Sequence, residues 1–368
     1  MVMQLTSRRN GHLRGKYYVA VAALAGLVLA AGCKTERAGV LPALGADIRQ
    51  TSTSGISSGA YMAGQFQIAH SELVVGAAII AGGPYGCAES LFADVMPGPG
   101  TTFLNISKAI NGCMLNALQL WGVPNPRLLA ERVHRLAERG KIDGVAHLQR
   151  DRVYLFAGKE DRTVVPPIVT AAFEFYKELG LPEANLAHVT DKAAGHAFVT
   201  EDHGGACDKS GKPYVVDCDY DQAGALLAHI YGPLKPRSTA IGGTFLAFDQ
   251  RPFTQGFGSD HGLSDYGVVY VPEMCARGGC RVHIAFHGCA QNRAAVGEAF
   301  VEETGFARWA DTNSLVVLFP QTATAAMNPQ GCWDWWGYTG RAYLTREAPQ
   351  IETVYRMLKR LGAPRAAS

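Results

Sequence analysis

The sequence has few charged residues and no excess of either sign. Of its 368 residues, 18% are charged, and 34 basic against 32 acidic side chains leave a formal charge of +2. Nucleic-acid binding requires a clear, clustered excess of lysine and arginine, so this balance argues against a nucleic-acid partner. Hydrophobic residues make up 48% of the chain, which is enough to bury a large core and argues against disorder.

The sequence also lacks any feature that marks a join between domains. It contains no internal repeat, no low-complexity tract and no linker rich in serine, threonine or proline. The 42 glycines and 18 prolines follow no period and are typical of a loop-rich enzyme. We therefore interpret residues 45–368 as a single domain and expect it to be monomeric.

The N-terminus has the pattern of an export signal. The first 18 residues carry four basic side chains and no acidic one, and they lead into an apolar run, residues 19–32, that is too short for an ordinary spanning helix. We predict a signal peptide over residues 1–32. Small residues before Cys33 resemble a lipoprotein cleavage site, which would make Cys33 a lipid anchor, the only membrane contact, on a tether of residues 33–44. Release into the periplasm or the medium remains the alternative.

Nine cysteines indicate an oxidising compartment. If Cys33 is lipidated, eight remain, an even number suited to disulfides. Pairs close in sequence leave the last two cysteines for each other, although sequence alone does not fix the pairing. The candidate pairs are Cys87 with Cys113, Cys207 with Cys218, Cys275 with Cys280, and Cys289 with Cys332.

The sequence offers no metal-binding motif. No C-x-x-C pair suggests zinc, and the acidic residues 217, 219 and 221 lack the glycine and the glutamate that would complete a calcium loop. We interpret those three residues as a solvated turn and expect no metal and no cofactor.

Short apolar runs rich in valine and isoleucine alternate with amphipathic stretches. This alternation predicts an α/β fold with a largely parallel sheet covered on both faces. Residues 88–150 interrupt it with mostly helical sequence, which we interpret as an insertion or lid. The predicted strands are residues 73–81, 153–157, 186–190, 267–271, 282–286 and 314–319.

The segment from Gly55 to Gly59 fits the G-x-S-x-G pattern and precedes a helical stretch. Its glycines suit a sharp strand-to-helix turn that leaves no room for Cβ atoms beside a nucleophile. Such a turn would present the Ser57 hydroxyl and aim the Ser58 N–H at a developing oxyanion. The segment before it, residues 48–53, is more polar than we expect of a central strand.

A nucleophilic serine needs a base, and the base needs a carboxylate that orients it. In α/β-hydrolases the order along the chain is serine, acid, histidine, and the acid and the histidine each follow a strand. Asp161 and His196 each follow a predicted strand, so we predict a triad of Ser57, Asp161 and His196. The alternatives left open are Glu160 for the acid and His188 or His203 for the base.

A His-Gly pair, which often supplies the second oxyanion donor, lies far downstream of Ser57 rather than before it. It ends the predicted strand 282–286, at residues 287–288. The simplest explanation is a circular permutation, in which the first half of an α/β-hydrolase fold has moved to the C-terminus. The Cys289 N–H would then join the Ser58 N–H as an oxyanion donor.

Together these segments resemble the poly(3-hydroxybutyrate) depolymerase family, in particular the subgroup with a circularly permuted α/β-hydrolase domain. The resemblance implies the same triad and oxyanion donors, and hydrolysis of ester bonds between 3-hydroxyalkanoate units through an acyl-enzyme on Ser57. The likeness is carried by Gly-Ile-Ser-Ser-Gly, Gly-Lys-Glu-Asp-Arg-Thr-Val, Gly-His-Ala-Phe, Phe-His-Gly-Cys-Ala-Gln and Cys-Trp-Asp-Trp-Trp-Gly, and it spans residues 45–362.

One departure concerns the polymer. Many secreted members continue into a linker and a polymer-binding module, whereas this sequence ends at Ser368 soon after its last amphipathic stretch. We therefore expect no separate polymer-binding domain, and action on amorphous polymer or oligomers. The alternative hypotheses are an esterase that removes feruloyl or acetyl groups from carbohydrates, and a non-catalytic binding lipoprotein.

Three tryptophans crowd one segment of the chain, at Trp333, Trp335 and Trp336. Either they plug a loop against the core, or at least one of them faces the cleft and contacts the substrate. Aromatic rings give a large apolar contact at a low entropy cost, which suits an uncharged polyester. We expect Trp333 and Trp336 to be the better candidates for this contact.

Overall fold

The computed structural model describes residues 38–89, 110–115 and 124–365. Its main feature is an eight-stranded sheet in the order β4-β3-β2-β1-β10-β11-β9-β8, and a second sheet has the order β5-β7-β6. Neighbouring strands of the large sheet run parallel, except that β9 runs antiparallel to β8 and β11. The strands are β1 (Asp47–Ile56), β2 (Val74–Ile80), β3 (Arg152–Phe156), β4 (Leu186–Val189), β5 (Phe198–Thr200), β6 (Gly205–Ala206), β7 (Val215–Asp217), β8 (Thr244–Asp249), β9 (Tyr266–Val271), β10 (Arg281–Phe286) and β11 (Leu315–Phe319).

Helices cover the large sheet on both faces, as the alternation of runs predicts. They are α1 (Ser58–Ala69), α2 (Pro126–Glu138), α3 (Pro166–Glu178), α4 (Gln222–Tyr231), α5 (Arg293–Val296), α6 (Ala299–Glu302), α7 (Phe306–Asn313) and α8 (Pro349–Gly362). The helices α1 and α8 pack together beside β1, whereas α4 and α7 pack together. No helix within the described ranges is long and apolar enough to cross a membrane.

The central strand β1 is polar, and its side chains explain why it is still buried. Residues 51–54 are all at most 1% exposed. Successive side chains on a strand point to opposite faces. Thr53 donates to a backbone carbonyl of α1 (3.2 Å). Ser52 and Ser54 face the other way and flank one imidazole, that of His283 on β10, at 2.7 and 2.8 Å. A strand more polar than we expect of a central one is therefore central, because His283 on the neighbouring strand forms hydrogen bonds with its buried serines.

The six predicted strands all occur, as β2, β3, β4, β9, β10 and β11, within two residues of their expected ends. The edge strand β8, although its residues 245–248 are apolar, and the short strands of the small sheet were not predicted. Described parts of the interruption at residues 88–150 are helical, including α2 and a 3-10 turn at Val145–Arg150. The predicted signal peptide and Cys33 lie outside the described residues, and so does most of the remaining insertion.

Four disulfides link the described residues. They join Cys87 to Cys113, Cys207 to Cys218, Cys275 to Cys280, and Cys289 to Cys332. Three of these pairs were suggested by closeness in sequence, and the fourth joins the two cysteines that were left over. The last of them connects the loop after β10 to the tryptophan-rich segment.

Asp221, one of the three residues interpreted as a solvated turn, caps α4 by accepting the Gly224 N–H at 2.8 Å.

Candidate active site

Ser57 lies in the turn between β1 and α1, with φ 57° and ψ −122°. Such a backbone conformation is costly for a residue with a side chain and is found mostly where the surroundings enforce it. Here they do. A Cβ atom at Gly55 would come within 2.1 Å of the Gly59 carbonyl, and one at Gly59 within 2.2 Å of the Phe286 carbonyl. Both glycines are therefore required by close approach, which confirms the reason given for them from the sequence.

Ser58 opens α1, so its N–H has no partner within the helix and remains available to a ligand. Its hydroxyl accepts a hydrogen bond from the backbone N–H of Trp333 at 3.3 Å. The residue next to the predicted nucleophile thus anchors the tryptophan-rich segment against α1. Gln65, two turns along the same helix, donates to the carbonyl of Asp334 at 2.9 Å and adds a second anchor.

Asp161 and His196, which follow β3 and β4, meet beside this turn. The Nδ1 atom of His196 lies 2.8 Å from Asp161 Oδ2. The other carboxylate oxygen of Asp161 accepts the N–H groups of Thr163 (2.8 Å) and Val164 (2.9 Å). Because the carboxylate can only accept, Nδ1 carries the proton and Nε2 is left as the basic nitrogen. The backbone N–H of His196 donates to Ser210 Oγ at 2.7 Å, which fixes the loop that carries His196.

The alternative residues lie elsewhere. Glu160 is exposed and pairs with Arg162 at 3.5 Å. His188 lies on β4 and stacks on Phe173, with ring centroids 5.0 Å apart. His203 is exposed and bonds to its neighbour Asp202. Within the part of the chain that the structure describes, the His196 imidazole is thus the one that Asp161 orients in the pocket of Ser57.

The loop after β10 approaches Ser57 directly. A Cβ atom placed on Gly288 would lie 3.5 Å from the Ser57 Cβ. Cys289 follows and is bonded to Cys332. The neighbouring Ala290 donates its N–H to the Gln330 carbonyl at 2.6 Å. The loop that carries the predicted second oxyanion donor is therefore fastened to the tryptophan-rich segment by one covalent and one hydrogen bond.

Ser57 and His196 open into one pocket of about 560 Å³. Most of its lining is apolar, which suits a ligand with little charge. No hydrogen bond joins Ser57 to His196 among the described residues, although both face this cavity. Such contacts are often long in ligand-free enzymes and shorten when substrate binds. Besides these two, the lining residues are Ile110, Met114, Thr163, Tyr214, Cys289, Ala290, Ala326, Met327, Pro329, Gln330, Cys332, Trp335 and Trp336.

The tryptophans divide between pocket and core. Trp335 and Trp336 line the pocket, with their rings 5.7 Å apart in an edge-to-face contact. Trp333 is fully buried against Phe286, with ring centroids 4.9 Å apart, and it also packs on His287. The expectation that Trp333 contacts substrate is therefore corrected. A side chain with no exposed surface behind the loop supports the wall but does not reach a ligand.

Sequence reasoning missed several pocket residues, notably Met114, Tyr214 and Met327. None of them belongs to a motif, and only the chain path brings them to Ser57. Backbone strain marks some of them, because the residues with positive φ include Ser57, Tyr214 and Ala290, all of which line the pocket. A positive φ can be anticipated from the sequence at a glycine, but not at residues such as these.

Asp334 holds the turn that contains the two pocket tryptophans. Its buried carboxylate accepts the N–H groups of Gly337 (2.7 Å), Tyr338 (3.0 Å) and Thr339 (2.8 Å). Burial raises the pKa of Asp334, and these donors act in the opposite direction by favouring its ionised form. This single side chain therefore closes the turn that presents Trp335 and Trp336.

Metal binding has no support within the described residues. No group of three or more histidine, cysteine, aspartate or glutamate side chains there is placed to hold an ion. The chemistry that this site offers is that of a serine hydroxyl, an imidazole held in one tautomer, and backbone N–H groups.

A serine at a strained strand-to-helix turn, beside a histidine–aspartate pair on a mixed α/β sheet, is the arrangement of an α/β-hydrolase-like protein. No family model matches the sequence. A poly(3-hydroxybutyrate) depolymerase of Delftia acidovorans is 40% identical over 350 residues, which are 93% of this chain and 66% of that protein. A polyhydroxybutyrate depolymerase of Talaromyces funiculosus is 33% identical over 333 residues, 85% of this chain and 89% of that protein. The chain belongs to the poly(3-hydroxybutyrate) depolymerase family.

Solved structures give the same result. The crystal structure of a PHB depolymerase from Penicillium funiculosum and that of a PHB depolymerase complexed with an R3HB trimer both superpose with a TM-score of 0.74. Each is 32% identical, and each match covers 88% of this chain and 98% of the other. The chain spans just under two thirds of the length of the Delftia relative, at 66%.

Proposed function

We propose that the protein is an exported serine esterase that hydrolyses the ester bonds of poly(3-hydroxybutyrate) or its oligomers. The observation that carries this proposal is the shared apolar pocket of Ser57 and His196, with His196 held by Asp161 at 2.8 Å. An uncharged polyester offers methyl groups and ester carbonyls, and the pocket offers Trp335, Trp336 and a nucleophile. The names of the related proteins support this class of substrate.

The arrangement of Ser57, His196 and Asp161 supports the following acylation step. Nε2 of His196 takes the Ser57 proton as Ser57 Oγ attacks the ester carbonyl, and Asp161 stabilises the imidazolium that forms. The negative charge moves to the carbonyl oxygen, which accepts hydrogen bonds from the N–H groups of Ser58 and Cys289. When the tetrahedral intermediate collapses, the C–O bond of the ester breaks. The departing hydroxyl end of the chain then receives the proton from His196.

Deacylation reverses the roles. The acyl group is now an ester of Ser57, and water enters where the first product left. His196 Nε2 removes a proton from the water, which attacks the acyl carbonyl, and the second collapse returns the proton to Ser57 Oγ. The product is a 3-hydroxy acid or a shorter oligomer, and no group besides water is consumed.

We also infer that the chain is a circularly permuted α/β-hydrolase. In the sheet order, strands β8 to β11 from late in the chain lie on one side of β1, and β2 to β4 lie on the other. A common α/β-hydrolase chain would run through the β8 side first and reach the nucleophile strand in the middle. Joining the two chain ends and opening the chain before β1 converts one order into the other, which supports the permutation.

The organisation along the chain is part of the proposal. Residues 1–32 would be removed as a signal peptide, Cys33 would carry a lipid anchor, and residues 33–44 would be a tether. Residues 45–368 would form one monomeric catalytic domain with a helical insertion at 88–150. The four disulfides support an oxidising location, because such bonds persist outside the reducing cytosol.

The proposal is tested with the mature protein and a Ser57→Ala variant on amorphous poly(3-hydroxybutyrate). We expect the parent to release 3-hydroxybutyrate or its oligomers, and Ser57→Ala to lose at least about 10³-fold in kcat with an unchanged melting temperature. Ser259→Ala is the matched control, because Ser259 is exposed and its hydroxyl donates to the neighbouring Asp260. Turnover by Ser57→Ala, or faster parent turnover on feruloyl or acetyl sugar esters, contradicts the proposal.

A further inference from the structure

Two consecutive peptide bonds, His287–Gly288 and Gly288–Cys289, are each held by one buried side chain. Nδ1 of His287 lies 2.8 Å from the Gly288 carbonyl oxygen. Oε1 of Gln291 accepts the Gly288 N–H at 2.7 Å. The Gly288 carbonyl and the Cys289 N–H belong to one planar trans peptide unit and point in opposite directions. A side chain that fixes the carbonyl therefore also fixes the direction of the Cys289 N–H.

The surroundings of His287 determine which nitrogen carries its proton. The Thr322 N–H, which can only donate, points at Nε2 from 3.2 Å. Nε2 must therefore offer a lone pair, and Nδ1 carries the hydrogen that the Gly288 carbonyl accepts. Burial lowers the pKa of His287 to about 4, so the ring stays neutral and in this tautomer at neutral pH. The ring orientation is thus set at both nitrogens.

Packing holds the same ring in place. The imidazole is fully buried between Trp333, at 5.6 Å, and Phe300, at 6.2 Å between ring centroids. It does not line the pocket of Ser57. Its bond to the Gly288 carbonyl links it to the loop beside Ser57. This also gives the buried Trp333 a role, which is to support His287.

Gln291 connects the preceding peptide unit, between His287 and Gly288, to the chain around Tyr214. Its amide nitrogen donates to the carbonyls of Pro213 (3.0 Å) and Tyr214 (3.1 Å). Tyr214 lines the pocket. A single fully buried amide therefore fixes the N–H of Gly288 on one side and the chain that presents Tyr214 on the other.

We propose that His287, supported by Gln291, is a positioning residue that aims the Cys289 N–H at the oxyanion. This inference rests on the proposed function, because it needs an oxyanion that forms when Ser57 attacks an ester. It assigns to the imidazole of the His-Gly pair no proton transfer and no contact with substrate. Its contribution is made only as negative charge develops, so its loss lowers kcat more than it raises KM.

Two substitutions separate the two ring nitrogens. In His287→Asn the side-chain amide can take the place of Nδ1 and still donate to the Gly288 carbonyl. In His287→Gln the longer amide takes the place of Nε2, so it keeps a partner for the Thr322 N–H and loses the bond to Gly288. We expect His287→Gln to lose about 10- to 100-fold in kcat on a soluble 3-hydroxybutyrate oligomer, with KM within about threefold, and His287→Asn to lose distinctly less.

A transition-state probe gives a second readout. A phenylboronic acid forms a tetrahedral adduct on a reactive serine and places a negative oxygen where the oxyanion develops. Its affinity for His287→Gln should fall by the same factor as kcat, because both report the same hydrogen bond. A purely structural defect would weaken this probe and a substrate-like ligand equally.

The matched control is His70→Gln, the same substitution at another buried histidine. His70 is 4% exposed, its pKa is lowered by burial to about 4, and it stacks on Tyr355 at the far end of α1. We expect His70→Gln to lower the melting temperature and to leave kcat unchanged. If neither His287 variant folds, Gln291→Met decides, since it removes the acceptor of the Gly288 N–H and should also lower kcat selectively.

Equal losses of kcat in His287→Asn and His287→Gln, or losses that follow melting temperature as in His70→Gln, would overturn the inference. Full activity of His287→Gln or of Gln291→Met would do the same. These failures differ from a failure of the proposed function. If Ser57→Ala is inactive while the His287 variants keep the parent kcat, only the positioning role is wrong.

Discussion

Tyr61 stacks on Trp335, with ring centroids 4.3 Å apart and ring planes within 9° of parallel. Tyr61 lies one turn beyond Ser57 on α1, and Trp335 lines the pocket. The Tyr61 hydroxyl donates to the Cys113 carbonyl at 2.5 Å. One buried side chain thus connects the helix that starts at the nucleophile, the aromatic wall and the segment 110–115. The position of the wall is therefore coupled to the fold of α1.

Removing the aromatic wall should weaken substrate binding. We expect Trp335→Ala to raise KM for 3-hydroxybutyrate oligomers by about tenfold, since a large ring contact is worth about 1–2 kcal/mol. Steady-state kinetics on trimers and tetramers would measure it. Trp333→Phe is the matched control, because Trp333 is fully buried and should affect stability while leaving KM near the parent value. A larger KM effect at Trp333 would restore the expectation that the structure corrects.

The Cys289–Cys332 disulfide should support both stability and activity. It closes a separation of 43 residues, for which loop-closure entropy predicts about 3–4 kcal/mol of stabilisation. We expect Cys289→Ala with Cys332→Ala to lose stability of that order in urea unfolding and to lower kcat, because the oxyanion loop loses its covalent anchor.

The control for this prediction is Cys275→Ala with Cys280→Ala, a pair separated by 5 residues and absent from the pocket lining. A shorter loop predicts a smaller effect, about 2 kcal/mol. Its kcat should remain at the parent value. Equal losses of kcat in both double variants would show that activity follows general stability instead of the anchor.

Acid should destabilise the protein through its buried histidines. Burial lowers the pKa of His283 to about 3 and those of His70 and His287 to about 4, from an ordinary value of 6.5. Between these values the unfolded chain binds more protons than the folded one, so the free energy of unfolding falls as pH drops below 6.5. Each histidine contributes a slope of about 1.4 kcal/mol per pH unit.

Urea unfolding at pH 7 and pH 4.5 would measure this loss. His283→Asn cannot take up the proton, so its free energy of unfolding should fall less between the two pH values, although it is less stable than the parent at pH 7. The variant is less stable at pH 7 because it loses the hydrogen bonds of His283 to two serines on β1. A pH dependence identical to that of the parent would mean that His283 does not titrate on unfolding.

The buried Asp151 should make the free energy of unfolding decrease as pH rises, opposite to the effect of the histidines. Burial raises its pKa from 3.8 to about 8, and while Oδ2 accepts from Gln67 at 2.8 Å, Oδ1 is buried without a partner. The folded state therefore binds the extra proton between those values, and stability decreases as pH rises from about 4 to about 8. We expect Asp151→Asn to gain stability relative to the parent as pH increases from 5 to 8, measured by melting temperature. The control is Asp191→Asn at an exposed position, which should show no such trend.

Predictable features of the fold are those that one element displays by itself. Apolar runs such as those of β10 and β11 are buried on both faces and show directly in the sequence. The strand β1 does not, because its buried serines depend on His283, which lies 231 residues away from Ser52. The sequence of such a strand does not indicate a central position until the hydrogen-bond partner of its polar side chains is known.

The same distinction applies to the site. Ser57, Asp161 and His196 could be singled out because each belongs to a short motif at a strand end. The tryptophans could not be sorted, because Trp333 and Trp335 are two residues apart and only the chain path sends one into the core and the other to the pocket. His287 was recognised as part of a His-Gly pair, but its role depends on contacts with Gly288 and Thr322 that spacing does not reveal.

The pairing of β1 with β10 also sets when the site can exist. Asp47 on β1 pairs with Arg281 on β10, so the nucleophile turn is synthesised early and the loop beside it very late. During synthesis β1 can find β2, but its other edge stays open until β10 is available. Any product truncated before that strand therefore carries Ser57 and no oxyanion loop. The loops that frame the pocket of Ser57 therefore reach it only after β10 and the segments that follow it have joined the sheet.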